Sequence, residues 1–378
     1  MIEIHGDCPD RFSAVKDAFR ANFLSAPEGL DEIGASFSAC IDGETVIDLW
    51  AGHADTAKTR PFERDTLVPV FSTGKATMAL MIATAVERGN LAYDRRVADL
   101  WPEFGQAGKD QVTVAQLMSH QAGLPGLRGP ADPAIWFDVP VVLDRLAAQA
   151  PWWEPGTASG YHPITIGYLA GEVFRRAEGR SLGTALRDDL AVPFGLDLWV
   201  GLPDEEHARV AQMRKPAAAP TLGTIDAIKT SAFLDRGSAP GGRGSADWRR
   251  MEIPSANLHG TARSLARLMS VIATGGSLDG TRVLSSETVE QVTRQRIFGQ
   301  DKVLPFEMGW AAGFTRNGAL RIFGPNPDAV GHYGWGGSCV MADRQARVSA
   351  SYVMTRQSPH LIGDPRALRL FEALYGAL

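Results

Sequence analysis

Apolar residues recur at helical spacing over residues 12–24, and then alternate with polar ones through GASFSACIDGETVIDLWAGHAD, where Asp42-Gly43 breaks the alternation. The first stretch predicts a helix. The second predicts two strands joined by a two-residue turn, because an Asp-Gly pair tolerates the positive φ angles of a tight hairpin. From Ser72 the pattern is helical for a long stretch, with Gly89-Asn90 as a stop, Thr113 opening TVAQLMSHQAGLPG, and Pro163 in the first turn of PITIGYLAGEVFRRAEG. RKPAAAPTLG and LDRGSAPGGRGSADW carry no periodicity and read as loops over the surface or at the rim of a cleft. TARSLARLMSVIATGG is amphipathic through Ala262, Leu265, Met269 and Ile272, and ends at Gly275-Gly276. Strand patterns return in MGWAAGF, SCVMAD and RVSASYVMT, and DPRALRLFEALYGAL closes the chain as a helix with Asp364 as cap and Pro365 first. There is no internal repeat. Strands at both ends of a helical middle predict an α+β fold: one antiparallel sheet built from both termini, flanked by helices, with an all-helical lobe inserted.

Composition narrows the partners. The chain has 378 residues, of which 44% are hydrophobic, enough to bury a large core. With 38 basic and 43 acidic residues the net charge is −5, which gives no electrostatic footprint for nucleic acid or an anionic membrane surface. Cys8, Cys40 and Cys339 lack metal-ligand spacing and form no disulfide framework. MIEIHGDCPDRFSAV has neither the basic start nor the apolar run of a secretory signal, and no apolar stretch is long enough to span a bilayer, so the expected location is the cytoplasm. No metal-ligand cluster, P-loop or dinucleotide fingerprint is present, and no cofactor is expected. Oligomeric state is left open.

Two serine motifs compete for the chemistry. S-x-x-K occurs at Ser13-Ala14-Val15-Lys16, on the N-terminal amphipathic helix, and at Ser72-Thr73-Gly74-Lys75, where a strand pattern turns into a helix. A serine at a helix N-terminus meets unpaired N–H groups and the positive end of the helix dipole, and a lysine one turn on shares its face. An amine desolvated there loses its preference for charge and can take the hydroxyl proton near neutral pH. The plain alternative makes Ser72 a helix cap and sends Lys75 out to solvent. The rival motif, Gly179-Arg180-Ser181-Leu182-Gly183, matches the G-x-S-x-G elbow of α/β-hydrolases. That elbow needs a strand before it, whereas IGYLAGEVFRRAEG is helical in spacing, so Ser181 is expected to cap the helix that follows.

Further along, EPGTASGYHPITIGYLAGEV places Tyr161 in a Gly-rich loop ahead of a helix, and GHYGWGGSCVMAD places a Gly-rich turn before a late strand. In order and spacing these motifs resemble the serine β-lactamase and penicillin-binding-protein superfamily, closest to its class C-like branch and the family VIII carboxylesterases. The resemblance covers nearly the whole chain, including VTVAQLMSHQAGLPG and IPSANLHGTARSLARLM. It implies a β-lactamase-like fold with residues 1–85 and 300–378 in the sheet lobe, 86–299 in the helical lobe, and the active site in the cleft between them. It also implies Ser72 as nucleophile, Lys75 as base, Tyr161 as proton relay, and His332-Tyr333-Gly334 as third motif, with the backbone N–H groups of Ser72 and Trp335 as oxyanion donors. Fitting Trp335-Gly336-Gly337 as the third motif instead would move the second donor to Ser338. His332, Gly334 and Trp153 are the expected substrate contacts.

The departures from the family bear on substrate. Lactamases commonly hold an Asn two residues after the tyrosine, where this chain has Pro163, and a Lys at the head of the third motif, where it has His332. Both changes weaken recognition of an anionic amide, and a neutral ester needs neither. No separate glutamate is nominated for deacylation, so Tyr161 and Lys75 would also activate the water. His120 and His259 read as buried hydrogen-bonding residues, His162 as a residue at the cleft edge, and Trp152 and Trp153 as walls of an acyl pocket or plain core. The expected activity is hydrolysis of small carboxylic esters, of short acyl chain, through an acyl-enzyme. Acyl transfer to an alcohol and weak β-lactam hydrolysis are the alternatives on the same fold, and a non-catalytic scaffold is the alternative of another class.

Overall fold

A computed structural model describes residues 2–378. Nine strands form one antiparallel sheet: β1 (Ile4–Asp7), β2 (Gly34–Ile41), β3 (Glu44–Gly52), β4 (Ile297–Gln300), β5 (Glu307–Trp310), β6 (Thr315–Arg316), β7 (Val330–Tyr333), β8 (Cys339–Asp343) and β9 (Val348–Met354). Their spatial order is β1-β3-β2-β9-β8-β7-β6-β5-β4. The two termini meet where β2 pairs with β9, from Val348 opposite Ile41 to Met354 opposite Ala35. At the hairpin tip Asp42 and Gly43 have φ of 54° and 90°, the pair of positive values that a type I′ turn requires.

Strands β8 and β9 are buried at every position because helices cover both faces of the sheet, which is why they read as runs of apolar and small residues. On one face lie the helices Ser13–Leu24 and Pro365–Tyr375, whose Val15, Phe19, Leu370 and Phe371 share a core with Phe37, Leu49 and Tyr352 of the sheet. The other face carries the helix Ala262–Ala273, which lies over β2, β8 and β9. Ser349 on β9 ties to it through a 2.7 Å hydrogen bond to the Ala266 carbonyl. The stripe of Leu265, Met269 and Ile272 is the apolar face that the sheet needs covered, and β4 begins at Ile297.

The helix Gly74–Glu87 is buried from Gly74 through Ala85, apolar all round rather than along one stripe, as befits an element with neighbours on every side. It packs against β7 and against the helices Thr165–Glu178 and Ser286–Thr293. The loop LDRGSAPGGRGSADW ends in the short helix Ala246–Arg250 and contributes Ser238, Pro240, Arg243 and Trp248 to the wall of the cleft beside Ser72. No helix among the described residues is long and apolar enough to cross a membrane.

Candidate active site

After the short strand Val68–Pro69 the chain turns through Phe71, whose φ of 50° is strained for an aromatic residue, and enters the helix Gly74–Glu87. Ser72 stands at that junction. Gly74 lets the helix come in close, since a Cβ there would lie 2.7 Å from the Cβ of Leu258. One turn on, Lys75 is 0% exposed, so it does not reach solvent. Its Nζ lies 2.8 Å from Ser72 Oγ and donates to the carbonyls of Pro163 at 2.8 Å and Ser255 at 2.9 Å. All three partners are neutral oxygens. Burial alone pulls the amine well below the usual lysine range, and the positive helix terminus acts in the same direction. The other motifs separate from the chemistry. Ser13 is exposed on an outer helix. Ser181 caps the helix Leu182–Leu186, accepting from the Thr184 N–H at 3.1 Å and donating to Glu252 at 2.7 Å.

Tyr161 enters the same cleft from the loop ahead of the helix Thr165–Glu178. That helix begins two residues later than the sequence predicts, because Pro163 stays in the preceding turn and gives its carbonyl to Lys75. The Tyr161 ring lies 4.8 Å from Lys75 Nζ and stacks on Trp310, with centroids 5.7 Å apart and planes 7° from parallel. Burial pushes the phenol well above its usual range, the Ser72 hydroxyl draws it back and the Asp301 charge adds to the rise. The phenol is therefore a neutral hydroxyl, and the amine beside Ser72 is shifted toward its uncharged form.

His120 and His162 hold this loop. His120, at φ 62°, accepts the His162 N–H on Nδ1 at 3.2 Å, and its carbonyl accepts the Gly160 N–H at 3.0 Å. His162 Nε2 accepts the Leu124 N–H at 2.9 Å. Burial lowers the pKa of both, that of His162 to about 3. Trp153 stands behind the loop, with its indole N–H on the Ala158 carbonyl at 2.9 Å and its ring against His162. It is not among the residues lining the cleft.

The third motif closes the opposite wall. His332, Tyr333 and Trp335 line the cleft with Ser72, whereas Gly334, Gly336, Gly337 and Ser338 do not. His332 is held neutral: burial lowers its pKa to about 3. Gly334 lies outside the lining and acts by close approach, since a Cβ there would come within 2.1 Å of the Val70 carbonyl oxygen. Bonds from Thr73 Oγ1 to the Ser338 carbonyl and from Ser338 Oγ to the Val70 carbonyl, both 2.9 Å, stitch this turn to the nucleophile segment.

Residues 19–375 match the family model described as Beta-lactamase. The chain belongs to the beta-lactamase family. It is similar, at 34% identity over 375 residues covering 96% of this chain and 85% of the relative, to the esterase/beta-lactamase LipL of Mycobacterium tuberculosis. A penicillin-binding protein homolog from Caulobacter crescentus shares 53% identity with a TM-score of 0.96, and a family VIII carboxylesterase shares 42% with a TM-score of 0.93; each comparison covers 100% of both chains.

Beside this family frame, the structure adds groups that sequence reading missed. Asp301, 3% exposed, accepts the Tyr161 N–H at 2.9 Å on one oxygen and the Trp310 indole N–H at 3.0 Å on the other, so it fixes both the tyrosine and the ring stacked on it. Its only signal was an aspartate opening a turn, where it also accepts the Val303 and Leu304 N–H groups at 2.9 Å. Pro163 and Ser255 reach Lys75 through backbone carbonyls, a role that no side-chain pattern announces.

Proposed function

We propose that the chain is a serine hydrolase that cleaves carboxylic esters through an acyl-enzyme on Ser72. The observation that carries this reading is the contact of Ser72 Oγ with a fully buried amine surrounded only by neutral oxygens. Lys75 takes the Ser72 proton as Oγ attacks the ester carbonyl. The N–H groups of Ser72 and Trp335 receive the charge that develops on the carbonyl oxygen. The proton then passes by way of Tyr161 to the departing alkoxide as the C–O bond breaks. Deacylation runs the same path with water in place of the alcohol, activated by Lys75 and Tyr161.

The esterase and carboxylesterase names of the relatives support the reaction class. The cleft wall supports the substrate side. It is built largely from Phe71, Phe233, Leu304, Trp310, Leu361 and Ile362, and the neutral His332 stands where lactamases hold a lysine. A rate profile over p-nitrophenyl esters of rising acyl length, with nitrocefin beside them, tests the reading. Esters of short chain are expected to be turned over far better than nitrocefin; a preference for nitrocefin would replace the ester reading with a lactamase one.

A further inference from the structure

The cleft that holds Ser72 continues past Phe71 into a second groove, and the two share Phe71, Pro240, Arg243 and Trp248. Around Ser72 the wall is apolar and its one charged side chain is Arg243. The guanidinium of Arg243 lies over the Phe71 ring, 5.6 Å from its centroid. Lys215 and Arg249 join it in the groove beyond, and neither wall contains a carboxylate. Elsewhere Arg209 reaches Asp197 at 2.7 Å and Arg250 reaches Asp204 at 2.7 Å, in a chain with more acids than bases.

Within the groove one buried donor goes unused: among the described residues Arg249 Nε has no acceptor, while its Nη1 donates to the His207 carbonyl at 3.4 Å. Burial lowers the pKa of Arg249, and the nearby Arg60 lowers it further. Like charges and unsatisfied donors gathered in one concavity are unfavourable unless an anion occupies it.

We propose that this groove binds an anionic group, a carboxylate or a phosphate, carried by the substrate itself, so that the ester bond lies over Ser72 while the charged end lies beyond Phe71 among Arg243, Lys215 and Arg249. The inference rests on the ester reading above and narrows it to esters that join an apolar portion to an anionic one. Arg243 stands at the boundary and meets the anion first.

The test compares kcat/KM for matched esters: phenyl acetate against 4-acetoxybenzoate and 4-acetoxyphenyl phosphate, and p-nitrophenyl butyrate against the p-nitrophenyl hemiester of glutarate. At least one anionic ester is expected to exceed its neutral partner by about tenfold or more, the scale of one charged hydrogen bond. That ratio should collapse in Arg243→Gln and in Lys215→Gln and shrink as salt is raised. Whether the benzoate or the phosphate gains more identifies the anion. Ratios near one in the unmodified protein, or a preference that survives both substitutions together, overturn the proposal. If no ester of either kind is turned over, the ester reading fails instead, and the groove is then judged by calorimetric titration with 4-hydroxyphenyl phosphate. Binding that weakens in Arg243→Gln upholds the anion site, and no binding to the unmodified protein overturns it.

Discussion

Two side chains that normally carry a positive charge are buried to the same degree in this fold, and their surroundings give them opposite tasks. Lys75 and Arg366 are both 0% exposed. Arg366 sits between Glu32 at 2.6 Å and Asp364 at 2.7 Å, and these carboxylates, with Tyr352, raise its pKa well above the usual value against the opposing effect of burial. Its charge is kept and used as a strut under the turn after the third motif, with a contact of 3.4 Å to the Gly336 carbonyl. Lys75 is given only hydroxyl and carbonyl oxygens, so the same desolvation acts unopposed and pulls its pKa well below the usual lysine range. A cation paired with acids is architecture; an amine without them is a base.

The comparison can be broken most severely at the group that Lys75 serves. Ser72→Ala should lower kcat/KM for p-nitrophenyl butyrate by more than about 10⁴-fold, the scale seen when a nucleophile is removed. Next, Lys75→Arg puts a permanent charge where a neutral amine is needed, and should lose about 10²–10⁴-fold, nearly as much as Lys75→Ala. The unmodified enzyme should share this sensitivity. Because the folded pKa of Lys75 is depressed, activity is present while the amine is unprotonated and is lost as pH falls through that pKa, giving an acid limb in the pH profile of kcat/KM. Arg366→Met, by contrast, leaves Glu32 and Asp364 unpaired. It should destabilise folding by about 3–5 kcal/mol in a denaturant titration, with the folded fraction keeping far more activity than Lys75→Arg. Smaller still, Asp301→Ala should reduce kcat by about tenfold with KM little changed, since it loosens Tyr161 and Trp310 rather than removing a reacting group. Ser181→Ala comes last, costing about 1 kcal/mol as a lost helix cap and leaving most of the activity.

Much of the fold was readable from pattern because its signals are local. The Asp42-Gly43 turn, the Asp364 cap and the loss of strand pattern at Ser72 each follow from backbone chemistry within a few residues. The strand-to-helix junction that presents Ser72 and Lys75 was legible for the same reason. What escaped depends on chain segments far apart: the carbonyls of Pro163 and Ser255 that surround the amine, the carboxylate of Asp301 behind Tyr161, and the seating of the helix Ala262–Ala273 on the sheet. The place of Trp153 behind the loop has a similar origin. An aromatic residue near a motif packs equally well in front of the loop or behind it, and only the tertiary contact with His162 decides.

The central claim is that a neutral Lys75 activates Ser72, and active-site labelling tests it directly. The unmodified protein and Lys75→Arg are each treated with a fluorophosphonate across a pH series, and the adduct is located by peptide mass spectrometry. The account predicts a single adduct on Ser72 whose rate of formation falls as pH is lowered, and almost no labelling of the arginine variant. An adduct on Ser181, or labelling of Lys75→Arg at the rate of the unmodified protein, would contradict it.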